Sequence, residues 1–172
     1  MAFELQPRLE GRLLDLRPLE TGDWDEMFAL ASDPAIWVLH PHNDRYQEAV
    51  FRTLFEQSLA SGGALVAIDR ATGRAAGWSR YSAQGVPSDE IEIGWTFLAR
   101  VYWGGDYNAD MKASMLAHAF RFVDRVIFCI GEGNLRSRRA IEKLGARLTD
   151  RREMRIARGE PVPHVIYAIS RG

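Results

Sequence analysis

Two adjacent glycines stand where an alternating apolar segment gives way to a helical one. Gly104 and Gly105 follow residues 90–98 and precede a stretch with Met111 and Met115 at helical spacing. Main-chain N–H groups at the start of a helix are unpaired and carry the positive end of its dipole, so such a loop favours a phosphate. The alternative is a tight turn that glycine permits. The loop matches neither a P-loop, because no Gly-Lys-Ser/Thr follows, nor a dinucleotide fingerprint, because the third glycine is missing.

A second polar segment follows the next apolar run. Residues 134–146 read N-L-R-S-R-R-A-I-E-K-L-G-A and come shortly after residues 126–130, which are apolar throughout. The pattern predicts a helix over 134–144 that ends at Gly145. Its basic side chains either bind an anion or form a solvated surface, which for any single one of them is the more common outcome.

Hydrophobic periodicity predicts the elements that must position these segments. Strands are predicted over residues 11–18, 63–69, 75–82, 90–98, 126–130, 147–156 and 164–170, and helices through 24–30, 50–59, 111–123 and 134–144. Residues 126–130 are apolar on both faces, so we expect a central strand there, parallel to 90–98 and joined to it by a helix. A sheet that opens between these two strands would form a cleft with the glycine loop at its mouth.

Two local details belong to this prediction. Asp44 followed by Gln47 resembles a capping box that would open the second helix. Strict alternation over residues 90–98 would place one set of side chains on an apolar face (Ile91, Ile93, Trp95 and Phe97) and the other on a polar face (Glu90, Glu92, Gly94 and Thr96).

The composition is that of a globular protein rather than a fibrous, disordered or membrane-spanning chain. Of 172 residues, 47% are hydrophobic and 26% charged, and the longest apolar runs have five residues. This length predicts one domain over residues 1–172. A single cysteine, Cys129, and the absence of a leader-like apolar segment in residues 1–12 favour a cytoplasmic location.

The net charge of −1 gives no indication of a nucleic-acid or membrane partner, but the charges are unevenly distributed. Residues 1–99 hold 8 basic and 15 acidic side chains, a net charge of −7, whereas residues 100–172 hold 14 and 8, a net charge of +6. This asymmetry is compatible with an anionic ligand on one side and a cationic one on the other. On composition alone, the stronger interpretation is that the two halves interleave in space and their charges cancel.

Together the two polar segments resemble the motifs of a known family. Asn134-x-x-Ser137 followed by Glu142-Lys143-x-Gly145 is similar to the closing motif of the GNAT (Gcn5-related) superfamily of acetyl-CoA-dependent N-acetyltransferases. The glycine loop, about thirty residues earlier, resembles the pyrophosphate loop of that superfamily. Glu92-Ile93-Gly94-Trp95 and Tyr102-Trp103-Gly104 are similar to its branch of Rim-type ribosomal-protein N-terminal acetyltransferases. The resemblance spans residues 11–170.

The resemblance implies a mixed α/β fold, with a mostly antiparallel sheet of about seven strands, a splayed parallel central pair and about four helices. It implies an enzyme that transfers an acetyl group from acetyl-CoA, without a metal, to a primary amine by direct attack on the thioester. The amine would belong to a protein N-terminus or a small molecule, and a homodimer is compatible with the resemblance because many relatives dimerise. The alternative is a catalytically silent regulatory module that binds coenzyme A.

Direct attack requires a base, because a protonated amine is not a nucleophile. We expect Glu92 to act as this base, with Glu90 or water as alternatives, since Glu92 lies on the polar face of the strand that would line the cleft. A position on a solvated strand edge, without a catalytic role, explains both glutamates equally well. We expect Ser137 to protonate the leaving thiolate, with Tyr107 and Tyr167 as alternatives, although a Ser in a first turn more often only hydrogen-bonds there.

The family pattern also implies where acetyl-CoA lies. The pantetheine arm is expected along the strand that ends near Ala99, the pyrophosphate on the glycine loop, and the 3′-phosphate near the basic helix. A main-chain N–H near Phe97 or Leu98 would stabilise the charge that develops on the thioester oxygen. The residues implied in binding acetyl-CoA are Phe97, Leu98, Ala99, Trp103, Gly104, Gly105, Asp106, Tyr107, Asn108, Asn134 and Arg138.

The acceptor amine is expected beside residues 37–45, because helices that follow this position border the substrate groove in the superfamily. Trp37, His40 and Tyr46 would form an aromatic wall. The alternative is a hydrophobic lid packed permanently on the core. The net charge of −7 in the first half of the chain suits a cationic amine.

Two motifs depart from the family pattern. In the loop, Asp106 replaces the second glycine and Val101 replaces the leading Arg or Gln. A carboxylate about 6 Å from a phosphate charge costs roughly 0.7–3 kcal/mol for effective dielectrics of 80 down to 20, so we expect the Asp106 side chain to point outward. In the closing motif, Ile141 stands where many members place a Tyr that protonates the thiolate.

Overall fold

The computed structural model describes residues 2–172, and its strands form one eight-stranded sheet in the order β1-β2-β3-β4-β5-β6-β8-β7. The strands are β1 (Leu9–Glu10), β2 (Leu14–Pro18), β3 (Ala64–Asp69), β4 (Ala75–Ser82), β5 (Glu90–Leu98), β6 (Arg125–Gly131), β7 (Arg147–Ala157) and β8 (Glu160–Ser170). The helices are α1 (Trp24–Ala31), α2 (Glu48–Ser61), α3 (Tyr107–Ala119) and α4 (Leu135–Lys143). The expected mixed α/β fold is confirmed, with the two-residue β1 as an additional strand.

The helices cover both faces of the sheet. On one face, Met115 of α3 and Ile141 of α4 share a buried cluster with Ile93 of β5. On the other face, α1 and α2 form a second cluster, in which Phe51 stacks on Trp78 with ring centroids 5.2 Å apart. The amphipathic periodicity of the helices therefore has an apolar sheet surface to match on each side.

The β5–β6 pair is the one parallel contact of the sheet among the described residues, and it is short. Its register comprises three residue pairs, the last of which joins Glu92 to Ile127. Beyond this point β5 runs on to Leu98 and β6 to Gly131 without pairing with each other. The splayed parallel pair implied by the family resemblance is thus present at the centre of the sheet.

A β-bulge in β5 makes the predicted alternation wrong beyond Gly94. Gly94 pairs with Arg80 and Phe97 with Trp78, so one residue of β4 faces two residues of β5. Trp95, in the bulge, has a φ of +52°. An extra residue moves the following side chains to the opposite face.

As a result, the residues predicted on one face of β5 divide between the two core clusters. Ile91 and Ile93 face α3, as expected for one side of the strand, whereas Trp95 and Phe97 pack on the side of α1 and α2. Thr96, predicted on the polar face with Glu92, points instead towards α3, where it contacts Lys112.

The predicted capping box before the second helix is also wrong. α2 begins at Glu48 after Gln47, and no side chain caps it. Asp44 Oδ1 is buried and has no hydrogen-bond partner among residues 2–172. The preceding turns instead cross the open end of the β5–β6 pair. The Trp37 ring packs 5.4 Å from that of Phe97 in β5, and Pro41 lies against Gly131 in β6.

Gly77 allows β4 to approach β5 next to the bulge. Its φ is +150°, and a Cβ at this position would lie 2.0 Å from the carbonyl oxygen of Phe97. We therefore expect Gly77→Ala to lower the free energy of unfolding by about 2–4 kcal/mol, as measured by urea denaturation. Gly22→Ala is the control, since nothing lies within 4 Å of its Cβ, and it should change stability by less than about 0.5 kcal/mol. Equal losses in both variants would contradict the close approach.

Candidate active site

A cleft with a volume of about 760 Å³ opens where β5 and β6 separate. The two unpaired strand ends, the glycine loop, the first turns of α4 and residues from the 36–45 segment line it. Its volume lies in the range of small-molecule sites, which are about 300–1,000 Å³. From Ile93 onwards the edge of β5 that faces β6 has no strand partner, so an extended ligand arm with amide groups can pair there.

The glycine loop leaves its main-chain donors free. No main-chain hydrogen bond in the described chain uses the N–H groups of residues 104–109. A Cβ at Gly104 or Gly105 would meet no atom within 4 Å, so both glycines border open space. Trp103 fixes the start of the loop, since its Nε1 donates to the carbonyl oxygen of Leu98 at 2.9 Å. The loop can therefore receive an anion at the N-terminus of α3 without breaking a main-chain bond.

Asp106, which stands where the family pattern has a glycine, points away from the cleft. Its side chain is 77% exposed and forms an ion pair with Arg12 at 3.5 Å. Asn108 lines the cleft, whereas Tyr107 lies outside its lining and packs edge-on against Tyr102. Asp110 anchors the same turn, because its carboxylate accepts three main-chain N–H groups of residues 12–14 at 2.8–3.0 Å.

Asn134 and Ser137 lie together at the N-terminus of α4. Asn134 is the N-cap, and its Oδ1 accepts the N–H of Ser137 at 3.4 Å. Both residues line the cleft. Oδ1 is thus engaged in capping, while Nδ2 makes no side-chain hydrogen bond to the described residues. The side-chain amide therefore keeps a donor for a ligand.

The structure places Arg138 outside the cleft lining. Its Nε donates to the Tyr167 hydroxyl at 3.1 Å and its Nη1 to the carbonyl oxygen of Glu132 at 2.9 Å. Arg136 lies in the cleft instead: it stacks 4.0 Å from the Trp103 ring and donates to the carbonyl oxygen of Ile36 at 2.8 Å. Two residues along a helix correspond to about 200° of rotation, so these neighbours face opposite sides.

Glu92 and Glu90 have different environments. Glu92 lines the cleft and is 3% exposed; its Oε2 accepts from Arg155 at 2.9 Å, whereas Oε1 has no partner among the described residues. Burial raises the pKa of Glu92, and Arg155 opposes this. Glu90 lies outside the lining and binds Arg151 with both oxygens, at 2.8 and 3.1 Å, and Arg125 at 3.3 Å. Of the two, Glu92 has a free oxygen at the cleft.

Lys112 is a site residue that the sequence reasoning missed. It lines the cleft, is 2% exposed, and donates to Ser79 Oγ at 2.9 Å and to Thr96 Oγ1 at 2.5 Å. No carboxylate within residues 2–172 pairs with it, and burial lowers its pKa to about 7. The available signal was its position, since Lys112 shares a helical face with the buried Met115 and Ala119.

The predicted aromatic wall is present in part. Trp37 and His40 line the cleft, and the Trp37 indole is held by a hydrogen bond from Nε1 to the carbonyl oxygen of Ala31 at 2.8 Å. Tyr46 lies outside the lining and packs against the cluster beneath α1 and α2. The segment is thus both part of the core and part of the cleft.

The charges of the two halves of the chain meet across the sheet. Glu90 and Glu92 from the acidic half pair with Arg125, Arg151 and Arg155 from the basic half. The interpretation that the halves interleave accounts for these pairs. Within residues 2–172 no group of three potential ligands converges to hold a metal ion, and no helix is long and apolar enough to cross a membrane.

A family model described as "Acetyltransferase (GNAT) domain" matches residues 13–147. The chain belongs to the GNAT acetyltransferase family. Membership implies acyl transfer from acetyl-CoA to an amine, and the unpaired β5 edge and glycine loop have the donors and the space that this co-substrate requires. No curated protein sequence matches the chain.

Solved GNAT structures share the fold over nearly the whole chain. An acetyltransferase of the GNAT family from Bacillus anthracis is 20% identical, with 95% of this chain and 98% of that chain covered and a TM-score of 0.77. A GCN5-related N-acetyltransferase from Brucella melitensis is 21% identical, with 96% and 79% covered and a TM-score of 0.80. A protein from Vibrio cholerae, proposed to be a ribosomal-protein-serine acetyltransferase, is 13% identical, with 98% and 100% covered and a TM-score of 0.74.

The unusual protonation of Lys112 predicts a pH-dependent stability. Its pKa is about 7 in the folded protein against 10.5 for an ordinary lysine, so the unfolded chain binds more protons between these values. Stability therefore rises with pH across this window. We expect Lys112→Met to be more stable than the wild type near pH 7, with an advantage that shrinks by roughly 1 kcal/mol per pH unit towards pH 10.

Urea denaturation at pH 7, 8.5 and 10 measures this trend. Lys143→Met is the matched control, because it removes the same group from an exposed position on α4. Its stability difference from the wild type should stay constant over the three pH values. Parallel behaviour of the two variants would show that Lys112 keeps an ordinary ammonium group.

Proposed function

We propose that this GNAT protein transfers an acetyl group from acetyl-CoA to a primary amine by direct attack on the thioester, with Glu92 as the base. The observation that carries the proposal is the Glu92 carboxylate, buried in the cleft with one oxygen bound and the other without a partner. A buried acceptor without a hydrogen bond is energetically costly. A Cβ built on Gly94 would lie 3.4 Å from Oε1, so the space beside this glycine leads to the free oxygen. A hydrogen-bond donor that enters there removes the cost.

The proton leaves the amine towards Oε1 of Glu92, directly or through one water molecule. Burial raises the pKa of Glu92, which makes it a stronger base than an exposed carboxylate. Arg155 holds Oε2 at 2.9 Å and fixes the orientation of the group. Glu90 is a weaker candidate, because its oxygens are engaged by two arginines outside the cleft lining.

Acetyl-CoA supplies the activated acetyl group, and its thiolate is the leaving group. The proposed donor to the thioester oxygen is a main-chain N–H of β5. The N–H of Ala99 donates to Ala76 in β4, and adjacent N–H groups of a strand point to opposite edges, so the N–H of Leu98 faces the cleft. This favours Leu98 over Phe97 as the donor.

Ser137 is the proposed acid for the thiolate. It lines the cleft from the first turn of α4, one turn before Ile141, which presents only apolar atoms. The alternative Tyr167 is engaged elsewhere, since its hydroxyl donates to Glu142 at 2.6 Å and accepts from Arg138. Tyr107 lies outside the lining.

We also propose that the protein belongs to the Rim-type branch and acetylates a protein N-terminus. The motifs in the sequence are the support for this part of the proposal. Glu92-Ile93-Gly94-Trp95 lies where the β5–β6 pairing ends and the bulge begins. The motif therefore shapes the point at which the two strands separate. The similarity to the Vibrio cholerae protein, with a TM-score of 0.74 at 13% identity, supports the fold alone.

The base is tested by Glu92→Gln, which keeps the shape of the side chain and removes its basicity. We expect kcat at pH 7 to fall by about 100-fold or more, and by less at pH 9.5, where more of the amine is deprotonated without help. The Kd for acetyl-CoA should change little. Release of coenzyme A thiol over an amine panel and isothermal titration measure the two quantities.

Glu90→Gln is the matched control for this experiment. It breaks ion pairs outside the cleft, so it should lower stability while kcat stays within about threefold of the wild type. An unchanged kcat in Glu92→Gln would remove Glu92 from the mechanism. Tight acetyl-CoA binding by the wild type without turnover of any amine would instead favour the silent coenzyme A module.

The glycine loop is tested by Gly105→Val. Gly105 does not have a positive φ and has no neighbour within 4 Å of its Cβ, so the free protein can accommodate the change, whereas Gly104 has a φ of +75°. The added methyl groups would occupy the space beside the loop amides, and we expect the Kd for coenzyme A to rise at least about tenfold. Gly22→Val is the control. An unaltered Kd would mean that the phosphates bind elsewhere.

A further inference from the structure

The cleft contains a buried arginine that the proposed mechanism does not use. Arg45 lines it, is 8% exposed, and has its Cζ 5.7 Å from the centroid of the Trp37 ring. Its guanidinium makes one polar side-chain contact among the described residues, between Nη1 and Nε2 of His40 at 3.2 Å. Four of its five N–H donors are therefore available.

No carboxylate of the described chain lies within ion-pair distance of this guanidinium. Arg45 has no ion pair within 4.0 Å in the described chain, although Asp44 precedes it in sequence and its charge raises the pKa of Arg45. Burial has the larger effect and lowers that pKa to about 10, so Arg45 remains charged at neutral pH. A buried charge without a partner is a substantial cost to the folded protein.

The other basic side chains around Arg45 do not offset this cost. His40, His42, His164 and Arg136 line the same cleft, and Arg45 acts with burial to lower the pKa of both His40 and His42. The imidazoles are therefore neutral at pH 7, and Arg136 is the neighbour that adds a second positive charge. The two carboxylates in the lining, Glu92 and Glu153, are both paired with Arg155. An anionic group bound here would compensate Arg45 and Arg136.

Arg45 and Glu92 lie on the same side of the sheet. Glu92 alternates with Ile91 and Ile93, which face α3, so its side chain points to the side of α1 and α2. Arg45 lies on Trp37, whose ring packs on Phe97 on that same side. One ligand in the cleft can thus meet the carboxylate base and the guanidinium together.

We propose that the acceptor is an amine that also carries a carboxylate, which Arg45 binds while the amine lies at Glu92. The planar guanidinium matches a carboxylate with two parallel hydrogen bonds. Two kinds of molecule have this chemistry: a free amino acid, and a peptide with an acidic residue next to its N-terminus. The assignment rests on the proposed acetyltransferase function and specifies its substrate class.

Matched acceptors that differ only in the carboxylate test the assignment. One arm compares free amino acids with their carboxamides, and the other compares peptides that begin Ser-Asp with peptides that begin Ser-Asn. We expect the wild type to show a kcat/KM about 10- to 100-fold higher for the carboxylate member in one arm, and this arm identifies the source. Arg45→Gln should abolish the preference, and Arg45→Lys should retain part of it.

Arg52→Gln is the matched control, since it removes a charge from an exposed position on α2 and should leave the preference intact. Equal kcat/KM within every pair for the wild type would overturn the assignment while leaving the acetyltransferase function in place, and this result does not depend on any variant folding. A preference that survives in Arg45→Gln would overturn it as well. Weaker acetyl-CoA binding in Arg45→Gln with an unchanged preference would also overturn the assignment, and it would indicate that Arg45 binds the phosphates of acetyl-CoA. Failure of the wild type to acetylate any amine would contradict the proposed function itself.

Discussion

The separation of β5 from β6 is the constraint on which the cleft depends. At the closed end, Arg125 of β6 pairs with Glu90 of β5, and Arg151 and Arg155 of β7 pair with Glu90 and Glu92. At the open end, the bulge at Trp95 redirects β5. A non-glycine residue in the left-handed region costs about 1–3 kcal/mol, which its surroundings must offset. The Trp78 indole donates to the carbonyl oxygen of Trp95 at 2.7 Å, and Arg80 stacks 4.1 Å from its ring.

Lys112 connects this bulge to the helix that follows the glycine loop. It belongs to α3, whose first residues follow Gly104 and Gly105, and its ammonium or amine nitrogen bonds Thr96 in the bulge. The helix whose first turn carries the unpaired loop amides is therefore hydrogen-bonded to β5. Met111 and Met115 of the same helix pack in one cluster with Ile93 of β5, so polar and apolar contacts together hold α3 against this strand.

The sequence predicts the elements and the place of the glycine loop at the mouth of the cleft, because both depend on local periodicity and on glycine. It fails where the outcome depends on distant residues. The alternation of Ile91, Ile93, Trp95 and Phe97 is interrupted by a bulge that requires Gly77 and Trp78 of the neighbouring strand. Likewise, a basic helix predicts cations near a phosphate, but whether Arg136 or Arg138 enters the cleft depends on how α4 packs, and Tyr167 and Glu132 hold Arg138 on the outer side.

The two ends of the cleft also differ in how they recognise a ligand. The end proposed to bind acetyl-CoA consists of main-chain N–H groups of the loop and of the free β5 edge, and many side chains are compatible with that backbone. This is why a few glycines and an Asn-x-x-Ser segment are enough to identify the family. The end proposed for the acceptor consists of side chains from an irregular segment, among them the buried Trp37 and Arg45. The proposed selectivity depends on which charges are left without ion-pair partners after folding, and those can be found only when the burial and the contacts of each side chain are known.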